Sequence, residues 1–192
     1  MDILKLDKLT NEKWLNLFAA QFRHRDHTGR WVFASRKTEP HTDKGQADAV
    51  VIVPTLINDG EPPRLVVVRE YRVPIGGYVY GFPAGLLEPG ESAEETARRE
   101  MVEETGMEVV EVKRVTQGLY SSAGLTDEAA ALVFVTVRST PETKPHLEAS
   151  EELEVVLWDY ETVCRMCDAT DVGMDVKVWT VLYLCKLLGR LV

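Results

Sequence analysis

The sequence predicts an α/β fold in which a mixed sheet is flanked by helices. Three observations point to it: five strand-length runs rich in Val, Ile and Leu, segments whose apolar residues recur at helical spacing, and Gly- and Pro-containing turns between them. The chain of 192 residues is long enough to bury a real core as one domain with a short N-terminal extension.

Residues 1–48 are the more polar part. Trp14, Trp31 and a turn around Asp26 to Gly29 suggest a small β-hairpin or strand pair outside the main core. The main domain is expected over 49–192. Its strands are expected at Ala49 to Ile57, Arg64 to Tyr71, Val109 to Gln117, Ala130 to Val137 and Leu153 to Asp159. Turn chemistry separates them at Gly60 to Pro63, Gly76-Gly77, Pro89-Gly90 and Ser139 to Lys144. A helix of about four turns is expected over Ser92 to Thr105. Ser92 with Glu95 makes a capping box, Ala93, Ala97 and Met101 form an apolar stripe, and Gly106 is placed to end it. Tyr160 to Asp168 reads as helical. So does Met174 to Leu188, where Val178, Val181, Leu182, Cys185 and Leu188 recur at helical spacing.

Composition excludes several classes. A formal charge of -9 disfavours nonspecific binding to nucleic acid or to an anionic membrane, since both require Lys and Arg to neutralise phosphates. No apolar run approaches the length of a membrane span, and the N-terminus lacks the apolar stretch of a signal peptide, so a cytoplasmic location is expected. The three cysteines, Cys164, Cys167 and Cys185, are too few for a disulfide framework. No second pair or nearby His completes a zinc site around Cys164-x-x-Cys167, so they read as small core or surface residues.

The chemistry lies in Gly85 to Met107. Glu100 precedes Glu103 and Glu104 by three and four residues, so three carboxylates project from neighbouring positions on one helix. Like charges at this spacing destabilise a helix, and acids near its C-terminus oppose the macrodipole. A divalent cation would offset both, and an oxygen-only site suits Mg²⁺ or Mn²⁺ better than zinc. A solvated acidic face is the ordinary fate of such a cluster, and on the cluster alone that reading is favoured. The order of the surrounding residues reverses it.

Gly85, Glu91, Arg99, Glu100, Met101, Glu103, Glu104, Gly106 and Met107 match every fixed position of the Nudix box, and the segment resembles that family's box. The resemblance implies an α/β/α sandwich with a mixed sheet, and a loop-helix-loop that holds metal against a pyrophosphate. It implies that Glu100 and Glu104 are the principal metal ligands and Glu103 a further or water-mediated one. The Ala84 carbonyl would complete the site, and Arg99 and Glu91 would brace it.

Outside the box, Tyr71-Arg72-Val73-Pro74, Gly76-Gly77-Tyr78 and Phe82-Pro83-Ala84-Gly85 resemble the ADP-ribose and ADP-sugar pyrophosphatase branch, as does Ser121 to Glu128. That resemblance implies Mg²⁺-dependent cleavage of ADP-ribose or a related ADP-sugar to AMP and a sugar phosphate. It implies stacking of Trp14 and Trp31 on the base, and an N-terminal antiparallel β extension that packs across a homodimer. Arg36 and Arg72 are candidates for phosphate or ribose contacts, and Gly124 lies in the substrate loop. The base is expected in Leu147 to Glu154, where the branch pattern picks Glu151 and leaves Glu148 and Glu152 open. Gly81 replaces a Glu common in the branch, which predicts a requirement for metal in the millimolar range, as an order of magnitude, and Ala123 replaces the usual Pro of the substrate loop. The alternatives are hydrolysis of GDP-mannose or another nucleoside diphosphate derivative, and an ADP-ribose-binding module without turnover.

Overall fold

The computed structural model describes residues 1–41, 45–140, 144–145 and 152–192. In chain order the strands are β1 (Asp2–Lys8), β2 (Asn16–His24), β3 (His27–Ser35), β4 (Ala49–Leu56), β5 (Arg64–Arg72), β6 (Gly77–Gly81) and β7 (Ala84–Leu86). Helix α1 (Ala93–Glu100) follows and runs directly into a π-helical turn, Met101–Thr105. Then come β8 (Glu108–Val115), β9 (Leu119–Tyr120), β10 (Ala129–Arg138), β11 (Leu153–Trp158), α2 (Tyr160–Cys167) and α3 (Val176–Leu188). Two compact units result, one of Met1–Asp48 with Gln117–Ala130, the other of Ala49–Thr116 with Ala131–Val192.

In the first unit β1, β2 and β3 form an antiparallel sheet in that order. The hairpin between β2 and β3 closes on Arg25-Asp26, with His24 opposite His27 and Arg25 at φ 54°. The turn therefore falls before the expected position. Gly29 is a strand residue instead: it pairs with Phe22, whose ring fills the space a side chain at 29 would need. β1 was not expected as a strand; its register puts Leu6 beside Ala20, packed with Phe18 and Phe33 in a small core.

The second unit is a sheet in the order β11-β5-β4-β10-β8, with β6 paired to β5 and β7 to β4. The ladders β11 with β5, β4 with β5 and β10 with β8 are antiparallel. β4 and β10 run the same way: the Asp48 N–H bonds Ala129 O at one end and the Ile57 N–H bonds Val137 O at the other, which makes the sheet mixed. Leu65, Val66, Val67 and Val68 of β5 are all essentially inaccessible, as a strand covered on both faces requires. Val50, Ile52, Val66, Val133 and Val135 meet Ala97 and Met101 of α1 and its π turn. α2 packs on β5 and β11 and α3 on β6, giving helices on both sides.

Instead of four α-helical turns, α1 gives eight α-helical residues and then a wider turn that ends at Gly106, φ 70°. Such π segments are rare and concentrate at functional sites. The cysteines are free thiols on α2 and α3, Cys167 and Cys185 buried, and among the described residues they join no group able to hold a metal. No described helix is long and apolar enough to cross a membrane.

Candidate active site

The loop before α1 is shaped by its own carboxylates. Ser92 caps the helix, its hydroxyl accepting from the Glu95 N–H while the Glu95 carboxylate accepts from the Ser92 N–H. Glu91 takes both prongs of the Arg99 guanidinium, 3.1 and 3.0 Å, and a hydrogen bond from the Thr96 hydroxyl at 2.8 Å. These donors, Arg99 foremost, hold the Glu91 carboxyl at about 2 instead of 4.5. Glu91 in turn is the main cause that raises the pKa of Arg99. The same guanidinium reaches the Leu86 carbonyl at 3.2 Å, which ties the end of β7 to the helix.

Arg99 also touches the acidic cluster, Glu100 at 2.6 Å and Glu103 at 3.0 Å. The three acids sit in different surroundings. Glu104 is 7% exposed, the Glu100 side chain 13% and the Glu103 side chain 47%. The carboxylate of Glu100 lies in the space where a Cβ at Gly85 would stand, so β7 and α1 meet there without any intervening side chain. The Ala84 backbone is adjacent, paired with Val51. Gly106 is required twice over: its φ is left-handed, and an added Cβ would come within 2.5 Å of the Lys144 backbone.

A divalent cation fits this donor set in kind. The groups are all oxygens, two of the carboxylates are turned inward, and a buried carboxylate demands positive charge. As placed, no three acidic, His or Cys side chains among the described residues close around one point. Arg99 lies across Glu100 and Glu103 and supplies positive charge there.

The other expected residues are distributed over both units. In the first, the Trp31 indole N–H donates to the Gly124 carbonyl at 3.0 Å, joining two expected substrate residues. Trp31 also lines a cavity of about 430 Å³ whose other walls include Phe22, Phe33, Lys37, His41 and Asp127. Trp14 does not line it; it is 68% exposed, with Lys13 Nζ 4.2 Å from its ring. Arg36 is paired with Glu128 at 3.1 Å. In the second unit Arg72 is paired with Glu70 at 2.8 Å. Glu148 and Glu151 lie outside the described residues, whereas the Glu152 carboxylate accepts a hydrogen bond from the Tyr78 hydroxyl. Lys37 and His41, which the sequence did not single out, belong to the lining of this cavity. The alternating Phe18, Ala20, Phe22 and Trp31, Phe33 mark an apolar sheet face, but nothing in them says what covers it.

The site thus belongs to an α/β protein with a mixed sheet between helices, whose carboxylate-bearing helix is entered through a short loop. The NUDIX domain pattern matches residues 45–174, and the chain belongs to the Nudix hydrolase family. It is 34% identical to putative nudix hydrolase 2 of Caenorhabditis elegans over 152 residues, 77% of this chain and 67% of the worm protein. It is 35% identical to the ADP-sugar pyrophosphatase of Mus musculus over 147 residues, 72% and 67% of the two chains. A solved structure of an ADP compounds hydrolase superposes with a TM-score of 0.68 at 21% identity, covering 99% of this chain and 96% of that one, and shares the fold.

Proposed function

We propose that this chain hydrolyses the pyrophosphate of ADP-ribose or a related ADP-sugar in the presence of Mg²⁺ or Mn²⁺, releasing AMP and a sugar phosphate. The observation that carries the reading is the inward placement of Glu100 and Glu104 on the box helix, Glu100 against the bare backbone of Gly85. Similarity to the mouse ADP-sugar pyrophosphatase supports the substrate class.

Glu100 and Glu104 are the assigned cation ligands, with the Ala84 carbonyl completing the set and Glu103, the most exposed of the three acids, acting more peripherally. When bound, the cation supplies charge neutralisation at the phosphate oxygens and a more acidic attacking water. Arg99 braces the loop through Glu91 and also contacts Glu100 and Glu103. Glu151 takes a proton from the water, whose oxygen bonds to phosphorus as the bridging anhydride oxygen leaves. Trp31, held by Gly124, presents its indole face to the base, with Trp14, Arg36 and Arg72 as further substrate contacts. Residues 1–48 form the β extension to a catalytic domain over 49–192. A homodimer in the cytoplasm, engaging neither nucleic acid nor membrane, completes the proposal.

The experiment is hydrolysis of ADP-ribose, ADP-glucose, GDP-mannose, NADH and diadenosine polyphosphates with Mg²⁺, with Mn²⁺ and with chelator, products identified by mass. AMP and ribose 5-phosphate formed only with metal support the proposal. Faster turnover of GDP-mannose, or binding of ADP-ribose without products, overturns it.

A further inference from the structure

The cavity beside Trp31 carries polar atoms that the proposed chemistry does not use. Its floor is one face of the three-stranded sheet. Ala20 stands opposite Trp31, and the two-residue period of a strand puts Phe22 and Phe33 on the same face. The small Ala20 leaves room beside the indole, and the His41 ring, stacked on Phe33 at 5.3 Å and 16°, extends the flat wall. Because the Trp31 N–H is given to the Gly124 carbonyl, the indole has only its π face to offer a ligand. Walls of this kind around about 430 Å³ suit a planar heteroaromatic ring.

Which ring is accepted depends on the polar groups that line the cavity. Lys37 is paired with Asp48 at 3.2 Å. Asp127 accepts the hydroxyl of the buried Ser35 at 3.0 Å, and the Thr126 hydroxyl oxygen accepts the Glu128 N–H at 3.1 Å. Gln46, exposed on the segment that leads into β4, lines the same cavity, and its side-chain amide is engaged by no other described residue. A primary amide holds a donor and an acceptor side by side in one plane. That pair complements adenine, whose N6 amino group donates beside the N7 acceptor. Guanine shows two acceptors, N7 and O6, on the same edge and would set O6 against the amide oxygen. Resting on the hydrolase reading above, we propose that Gln46 is a specificity-determining residue that selects adenine over guanine in the nucleotide half of the substrate.

The test compares wild type, Gln46→Ala and Gln46→Arg. Binding of AMP and of GMP is measured by calorimetry, and kcat/KM is measured for ADP-glucose and GDP-glucose, which differ only in the base. Wild type should favour adenine about tenfold in both measurements, the discrimination of one bidentate amide contact. Gln46→Ala should bring the two bases within about twofold of each other. Gln46→Arg should favour guanine, because a guanidinium fork matches N7 and O6. Melting temperatures should hardly move, since residue 46 is exposed and outside the strands and helices.

A wild type that binds and turns over both bases alike, or an adenine preference that both variants leave unchanged, would overturn the role of Gln46 alone. Binding of neither nucleotide together with turnover of neither sugar nucleotide would overturn the hydrolase reading and base selection with it. An adenine preference in binding that Gln46→Arg reverses, without turnover of either sugar nucleotide, would uphold base selection and overturn hydrolysis.

Discussion

The carboxylate of Glu100 occupies the volume that any side chain at residue 85 would fill, so Gly85 is a condition for Glu100 to lie where it does. Gly85→Ala should therefore push Glu100 aside while leaving the α1 core, centred on Ala97 and Met101, in place. The expected result is a loss of about 10²-fold in kcat, the cost of misplacing a reacting group by about 1 Å. Steady-state kinetics together with a thermal melt check it; an active variant would separate Glu100 from the chemistry.

Glu91 makes the box sensitive to acid. Its folded pKa, about 2, lies below the ordinary 4.5, so the folded state binds fewer protons than the unfolded chain between those values. The stabilisation is complete above pH 4.5 and is lost as the pH falls towards 2. Melting temperatures of wild type and Glu91→Gln across this window should differ most at the upper end and converge at the lower.

Gly106→Ala should destabilise the protein by about 1–2 kcal/mol from the left-handed backbone alone. The approach of the Lys144 backbone, 2.5 Å from an added Cβ, should make the loss larger. Denaturant unfolding monitored by circular dichroism would show this as a lower midpoint.

Trp31→Ala should raise KM for ADP-ribose by about tenfold, the lower half of the roughly 1–3 kcal/mol measured for base stacking. The effect on kcat should be smaller. Trp14→Ala, measured beside it, tests whether an indole outside the Trp31 cavity also contributes to the grip.

Much of the second unit was legible because local and long-range preferences agree in it. The Val-rich runs became β4, β5, β8, β10 and β11 within a residue or two, and the buried β4, β5 and β10 need such residues because they are covered. The capping box and the left-handed Gly106 mark both ends of the box helix in the residues themselves. The π turn was not legible: Met-Val-Glu-Glu-Thr has no breaker, and nothing in its residue types distinguishes it from the α-helix that precedes it. β1 hid in a short alternation of Leu and charge that reads equally well as an exposed end. Nothing in Gln117–Ala130 marks its grouping with residues 1–48, which depends on contacts such as Trp31 with Gly124 and Ser35 with Asp127. The branch pattern that picked Glu151 leaves the acids of Leu147 to Glu154 otherwise alike; the partner of Glu152, Tyr78, lies 74 residues away in sequence.

The most direct test is the rate of ADP-ribose hydrolysis against Mg²⁺ concentration for wild type and Glu104→Gln. Wild type should be inactive in chelator and rise to saturation in the millimolar range, as an order of magnitude, while Glu104→Gln folds normally and stays at least about 10²-fold lower at every concentration. Superimposable curves for the two proteins, or turnover by wild type in chelator, would contradict the assignment of this acidic helix as the metal-dependent centre.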